Sequence, residues 1–115
     1  MTEFTIGYTL NSQDSLNKIY AGIHWSKRKA YADLFKMVVR NALKRTAVGC
    51  YQEPVEVEMK FNTGIDIDNC GLAQKLIIDG MKGILIRDDS PKCVRKVSME
   101  HWDGEGILVR VRECA

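Results

Sequence analysis

Apolar and polar residues alternate most regularly between Pro54 and Asn62. The apolar positions are Val55, Val57, Met59 and Phe61, and the polar positions between them are Glu56, Glu58 and Lys60. Successive residues of a strand point to opposite sides, so a period of two collects the apolar side chains on one face. The pattern predicts a strand with one buried face and one solvated face.

A different spacing begins at Ser26, a residue type that caps helix N-termini, and no Gly or Pro follows until Gly49. Apolar residues recur there at helical spacing, namely Tyr31, Leu34, Phe35, Val38, Val39 and Ala42. The spacing predicts a long amphipathic helix that buries these side chains. The basic residues Lys29, Lys36, Arg40 and Lys44 fall together elsewhere on its surface.

Four further segments complete the predicted order β-α-β-α-β-β. They are a first strand over residues 3–10, a second helix from Asn69 or Gly71 to Met81, and two late strands over residues 93–101 and 107–112. The second helix directs Leu72, Ala73, Leu76 and Ile77 inward and ends near Gly83. This order predicts an α+β (mixed α/β) domain over residues 1–115, with a small mixed sheet covered by two main helices.

Composition narrows the class of protein. Hydrophobic residues make up 45% and charged residues 28% of the 115 residues, as in ordinary globular domains. No run reaches the roughly 18 apolar residues of a membrane span, and the start lacks the layout of a signal peptide. We therefore expect a cytoplasmic protein without a membrane partner. The four cysteines form no Cys-x-x-Cys pair, which favours free thiols over a zinc site.

The net charge of +2 conceals a basic segment from Lys18 to Arg45, where eight basic residues face one acid, Asp33, for a local charge of +7. A field of this kind attracts polyanions. The candidate DNA-binding residues of this segment are Lys27, Arg28, Lys29, Lys36 and Arg40. The alternative is a solvated helix face without a ligand.

Carboxylates crowd the stretch that follows the alternating strand. Within two dozen residues lie Asp66, Asp68, Asp79, Asp88 and Asp89, together with Lys75. Acids at this density repel each other unless a cation holds them, and carboxylates are preferred Mg²⁺ ligands. In an extended segment, residues i and i+2 such as Asp66 and Asp68 point the same way. Beside a basic segment, the cluster indicates a metal-dependent nuclease, and solvated acids with a surface Lys75–Asp79 pair are the alternative.

The same stretch resembles the signature of the RusA family of Holliday-junction resolvases. The matching residues are Asp66-Ile67-Asp68-Asn69, Leu72-Ala73-Gln74-Lys75, Asp79-Gly80-Met81 and Gly83-Ile84-Leu85-Ile86-Arg87-Asp88-Asp89. They correspond to Asp-x-Asp-Asn, a lysine, Asp-x-hydrophobic, and a Gly followed by a terminal Asp-Asp. Upstream, Ser15-Leu16-Asn17-Lys18-Ile19-Tyr20 resembles the family's Ser-x-Asn-x-x-Tyr segment, so the resemblance spans roughly residues 4 to 97.

The resemblance implies a homodimeric, Mg²⁺-dependent endonuclease, with Mn²⁺ as a substitute, that nicks four-way DNA junctions symmetrically. It implies a phage or prophage protein that acts in the bacterial cytoplasm. By position, Asp66, Asp68 and Asp89 match the essential aspartates and Lys75 the catalytic lysine, and Asp88 joins the predicted metal ligands. Asn17, Tyr20 and Asn69 are expected on the DNA side, with helix capping as the alternative for Asn69.

One departure concerns the lysine, which in the commoner family spacing follows the second aspartate by about one helical turn. Here Lys75 comes about three residues later, after Cys70 and Gly71. An insertion of three residues nearly preserves helical phase, so Lys75 still faces the expected site, one turn farther along.

Two other functions compete with this interpretation. Glu58-Met59-Lys60 matches the second half of a PD-(D/E)xK nuclease site, although its nearest upstream acid, Glu53, is poorly placed beside Pro54. The second alternative is a small nucleic-acid-binding protein without catalysis, which uses the basic helix alone.

Overall fold

The computed structural model describes residues 1–11, 14–15, 25–46 and 49–114. In chain order the elements are strand β1 (Thr2–Ile6), helix α1 (Trp25–Lys44), strand β2 (Val55–Phe61), a 3₁₀ turn (Ile67–Cys70), helix α2 (Gly71–Met81), strand β3 (Val94–His101) and strand β4 (Ile107–Glu113). This order confirms the predicted mixed α/β fold.

The four strands form one mixed sheet in the order β1-β4-β2-β3. Strand β4 is antiparallel to both of its neighbours, β1 and β2, whereas β2 and β3 run parallel. A parallel pair needs a crossover between its strands, and here α2 lies in that connection. The crossover brings the C-terminal end of α2 and the loop after it to the start of β3.

The core lies between the two helices and one face of the sheet. The alternating residues of β2 (Val55, Val57, Met59, Phe61) are all at most 1% exposed, as their period predicts. They join the inward side chains of α2 in one apolar cluster. The opposite face of the sheet carries charged side chains of β2, β3 and β4 that pair with each other.

Helix α1 buries a slightly different stripe from the predicted one. Phe35, Val39, Ala42 and Leu43 are buried, whereas Leu34 is 61% exposed. The buried positions are spaced by four, three and one residues and share one side of the helix. Leu34 lies about 100° around the helix axis from Phe35, which turns its side chain to solvent. The prediction for Leu34 was therefore wrong.

The boundaries of two elements also differ. Helix α1 begins at Trp25 and ends at Lys44, short of Gly49. Just beyond its end, the Thr46 hydroxyl donates to the Ala42 carbonyl at 2.9 Å. Strand β1 ends at Ile6 and not at Leu10. The side chain of Ser26, the predicted cap, lies outside the described part of the chain.

A buried carboxylate ties the chain after β1 to α1. Asp14 is 2% exposed and accepts hydrogen bonds from the hydroxyls of Tyr8 (2.9 Å) and Tyr31 (2.7 Å) and from the Asn11 N–H (2.9 Å). These bonds satisfy a charge that would be costly to bury alone. Burial, followed by the hydrogen bond to Asp14, raises the pKa of Tyr8 to about 12, and the same causes raise the pKa of Tyr31.

This cluster predicts a loss of stability at alkaline pH. A tyrosine whose pKa is raised in the folded state contributes stability that is complete below its unfolded pKa of about 10 and is lost as the pH rises toward about 12. Urea unfolding midpoints should therefore fall across this window. In Asp14→Asn, spectroscopic titration of the tyrosines should show Tyr8 and Tyr31 ionising closer to pH 10. An unchanged titration would contradict this account of the cluster.

Candidate functional site

The candidate site begins on the solvated side of α2. Lys75 and Asp79 are one turn apart, and the Lys75 Nζ lies 3.6 Å from an Asp79 carboxylate oxygen. The Lys75 side chain is 63% exposed and that of Asp79 is 18% exposed. The predicted i,i+4 geometry is therefore present, with the acid held against the protein and the lysine reaching into solvent.

A tight turn after α2 brings the terminal aspartates back toward Asp79. Gly83 has a φ of +79°, which favours glycine, and its N–H donates to the Ile86 carbonyl at 2.7 Å. Leu85 and Ile86 are buried and hold this turn against the core. The loop that follows carries Asp88 and Asp89, both exposed, beside the end of the helix.

Lys82 joins the two acidic segments. Its Nζ lies 3.4 Å from Asp79 Oδ1 and 3.1 Å from Asp89 Oδ2, so two carboxylates from separate elements converge on one positive charge. Sequence reasoning missed Lys82, although its position three residues after Asp79, directly after the end of α2, was a usable signal. Its contact with Asp89 depends on the Gly83 turn.

The pKa values of Lys82 and Asp89 reflect the contact between them. The hydrogen bond to Asp89 is the largest cause that raises the pKa of Lys82, and the same bond is the largest cause that lowers the pKa of the Asp89 carboxyl. Lys82 and Asp89 are therefore both charged at neutral pH.

An open cleft of about 330 Å³ lies beside the trio of Asp79, Lys82 and Asp89. Its walls are residues of α2 and its following loop (Gln74, Lys75, Ile78, Asp79, Asp89) and the first residues of β3 (Val94, Arg95, Lys96, Val97). Two acids and three basic residues therefore line one cavity. None of the basic residues of β3 was predicted as part of the site.

Asp66 and Asp68 lie on the turn that precedes α2. Asp66 is extended (φ −61°, ψ 146°), but Asp68 belongs to the 3₁₀ turn, so the two do not form the extended pair that was predicted to aim both carboxylates at one point. Both side chains are exposed, and neither lines the cleft. Within the described ranges, no three His, Cys, Asp or Glu side chains are grouped closely enough to share a metal ion.

Asn69 is half-buried in the same 3₁₀ turn. The N-cap residue of α2 is Cys70, and no side chain caps the helix there. The capping role considered for Asn69 is therefore wrong.

The basic residues of α1 border a second groove, of about 540 Å³, with Lys36, Met37, Arg40, Lys44 and Ile84 among its walls. Lys29 and Lys36 both contact Asp33, at 3.1 and 3.9 Å, so one acid offsets part of their charge. Ile84 belongs to the turn after Lys82, so this basic groove ends near the acidic site. Lys27 is exposed and Arg28 half-buried, and Asn17 and Tyr20 lie outside the described residues.

The second nuclease pattern, Glu58-Met59-Lys60, lies on the helix-free face of the sheet. Lys60 contacts Glu58 (3.6 Å) and Glu100 (3.3 Å), and Glu58 also contacts Arg110 (3.5 Å). This face is a network of mutually paired charges, and it gives Glu58 and Lys60 structural partners without catalysis.

The cysteines and the hydropathy of the helices bear on two further predictions. Cys50, Cys70, Cys93 and Cys114 are all free thiols, as predicted. Among the helices of the described segments, none is both long and apolar enough to cross a membrane.

Comparisons with known proteins add no relative. No family model matches the chain, and no curated protein or solved structure matches it significantly.

Proposed function

We propose that this protein is a Mg²⁺-dependent endonuclease that resolves Holliday junctions and related branched DNA by paired nicks. The observation that carries the proposal is the convergence of Asp79 and Asp89 on the ammonium group of Lys82 at the wall of an open cleft. Two carboxylates that already hold one cation have the chemistry of a divalent metal site. The resemblance of residues 66–89 to the RusA signature supplies the reaction class.

The roles follow from this arrangement and from the resemblance together. Asp79 and Asp89 would hold Mg²⁺ at the cleft. The resemblance also predicts Asp66, Asp68 and Asp88 as ligands, but none of these three lines the cleft. When bound, the metal would activate water and offset charge on the scissile phosphate. Lys75, which reaches into solvent at the cleft, would donate to a phosphate oxygen and stabilise the negative charge that develops there.

The basic groove of α1 supplies attraction for the rest of the substrate. Lys36, Arg40 and Lys44 line it, and it meets the loop of Lys82 and Asp89 at Ile84. A DNA backbone lying in this groove would therefore pass close to the cleft. A homodimer would present two such sites, which suits a four-way junction with two equivalent strands to cut.

Lys82 should compete with the metal for its two acids. In Lys82→Gln the positive charge is lost while the side chain stays polar, so we expect Mn²⁺ to bind about fivefold more tightly. Calorimetric titration of the protein with Mn²⁺ measures this directly. Lys92→Gln is the matched control, because Lys92 is exposed, does not line the cleft and changes the net charge equally. Equal Mn²⁺ affinities in the two variants would contradict the competition.

A cleavage assay tests the proposed function. An end-labelled four-way junction and a linear duplex of matched sequence are incubated with the protein, with Mg²⁺ or with EDTA. We expect nicks in the junction alone and only with Mg²⁺. Junction binding that is tight in both conditions, without cutting under any divalent metal, would reject the nuclease.

That rejecting result would favour the second candidate, a nucleic-acid-binding protein without catalysis. One observation favours this candidate: the basic groove of α1 exists independently of the acidic trio, and Arg40 and Lys44 are exposed in it. It predicts DNA binding that survives removal of all metal.

A further inference from the structure

Strand β3 carries an extra residue at its start. Val55 of β2 pairs with Val94, but the next residue, Glu56, pairs with Lys96, so Arg95 is left without a partner in the register. The exposure of the side chains shows the same irregularity. In a regular strand, neighbouring residues point to opposite sides, but Arg95 and Lys96 are adjacent and both exposed. A β-bulge of this kind redirects the side chain of its extra residue.

The bulge lies at the cleft. Arg95 forms part of its β3 wall, and the acidic wall opposite contains Asp79 and Asp89. Lys75 contacts Asp79 and Lys82 contacts both aspartates, so each of these lysines has an acidic partner. Among the residues that the structure describes, Arg95 forms no ion pair.

Arg95 and Lys96 both line the cleft without an ion pair among the described residues, so this wall presents uncompensated positive charge to a ligand. The carboxylates of Asp79 and Asp89 lie within ion-pair distance of Lys75 and Lys82, and neither forms an ion pair with Arg95. Its planar guanidinium presents paired N–H donors that match two oxygens of a phosphate, a geometry that a lysine does not reproduce.

We propose that Arg95 is a phosphate-binding residue of the cleft and binds the DNA backbone beside the phosphate that is cut. This inference rests on the proposed function and specifies how that site holds its substrate. A DNA strand in the cleft would be bound by Arg95 on the β3 wall and cut at the α2 wall. Arg95 is then a binding residue, and its loss should weaken substrate binding far more than the cutting step.

The test measures binding of a fluorescent four-way junction by Arg95→Gln, Arg95→Lys and wild-type protein in Ca²⁺, over a series of salt concentrations. We expect about tenfold weaker binding by Arg95→Gln, with the slope of log affinity against log salt reduced by about one. Arg95→Lys keeps the positive charge but loses the paired N–H donors of the guanidinium, so its affinity should lie between those of Arg95→Gln and the wild type. With Mg²⁺, Arg95→Gln should raise KM and leave kcat within about threefold of wild type.

The matched control is Arg112→Gln, which removes the same charge from the helix-free face, where Arg112 pairs with Glu56. The control should bind the junction as wild type does. If Arg95→Gln binds with wild-type affinity and salt slope while the wild type still cuts, the role of Arg95 is overturned and the proposed function stands. If the wild type binds but does not cut, the nuclease fails and the binding comparison still decides on Arg95. If the wild type does not bind the junction, both proposals fail.

Discussion

Asp89→Asn should slow junction cleavage by at least about a hundredfold and leave junction binding intact. Asparagine keeps the shape of the side chain but removes the charge that would hold the metal. It also leaves Lys82 with one acidic partner, Asp79, in place of two. Binding should not weaken, because losing an acid does not reduce the attraction between protein and phosphate. Single-turnover cleavage in Mg²⁺ and junction binding in Ca²⁺ measure the two effects separately.

Parallel variants identify which acids act with Asp89. Asp103→Asn is the control, because Asp103 is an exposed acid in the connection between β3 and β4. The contacts of Lys82 predict that Asp79→Asn also loses cleavage, and the resemblance predicts the same for Asp68→Asn. Wild-type cleavage by Asp89→Asn would show that the site assignment is wrong, since both lines of argument include this residue.

Gly80→Val should lower the free energy of unfolding by about 3 kcal/mol, a large part of the stability of a small domain. At Gly80, α2 packs directly against α1: a Cβ added there would lie 2.8 Å from both Cβ and Cγ1 of Val39. Val39 is fully buried, so it has no space into which to move. The helices would have to separate, and the thermal midpoint should fall by about 10 °C.

Gly64→Val is the matched control for this effect. A Cβ at Gly64 meets no atom within 4 Å, and its backbone does not have a positive φ. The free energy of unfolding of Gly64→Val should differ from that of the wild type by no more than about 0.5 kcal/mol. Equal urea unfolding curves for the two valine variants would mean that α1 and α2 do not pack closely at Gly80.

The elements that the sequence predicted correctly are those with strong local patterns. Strand β2 matched its predicted bounds because a strict period of two extends from Val55 to Phe61. Helix α2 also matched: it ends at Met81, Lys82 is extended, and Gly83 with its positive φ follows directly. Helix α1 was found, but its buried stripe was assigned partly wrongly, because Leu34 is as apolar as its neighbours although it lies about 100° around the helix axis from Phe35.

The candidate site was harder to predict because its contacts join distant parts of the chain. Lys75 and Asp79 share a helix turn, so spacing alone predicted their contact. The link from Lys82 to Asp89 depends on a loop conformation, and the exposure of Arg95 depends on a bulge set by strand register. Neither the loop conformation nor the bulge produces a periodic pattern in the sequence. The extended pair expected at Asp66 and Asp68 failed because a 3₁₀ turn begins between them.

The proposed function requires that the acidic cleft cuts branched DNA at two equivalent positions. The most direct measurement uses a four-way junction labelled on each of its four strands in turn and incubated with wild-type protein and Mg²⁺. The account predicts nicks at matching positions in one pair of opposing strands, and none when Asp89→Asn replaces the wild type. Intact strands in every labelled junction, or cuts that occur equally in linear duplex, would contradict it.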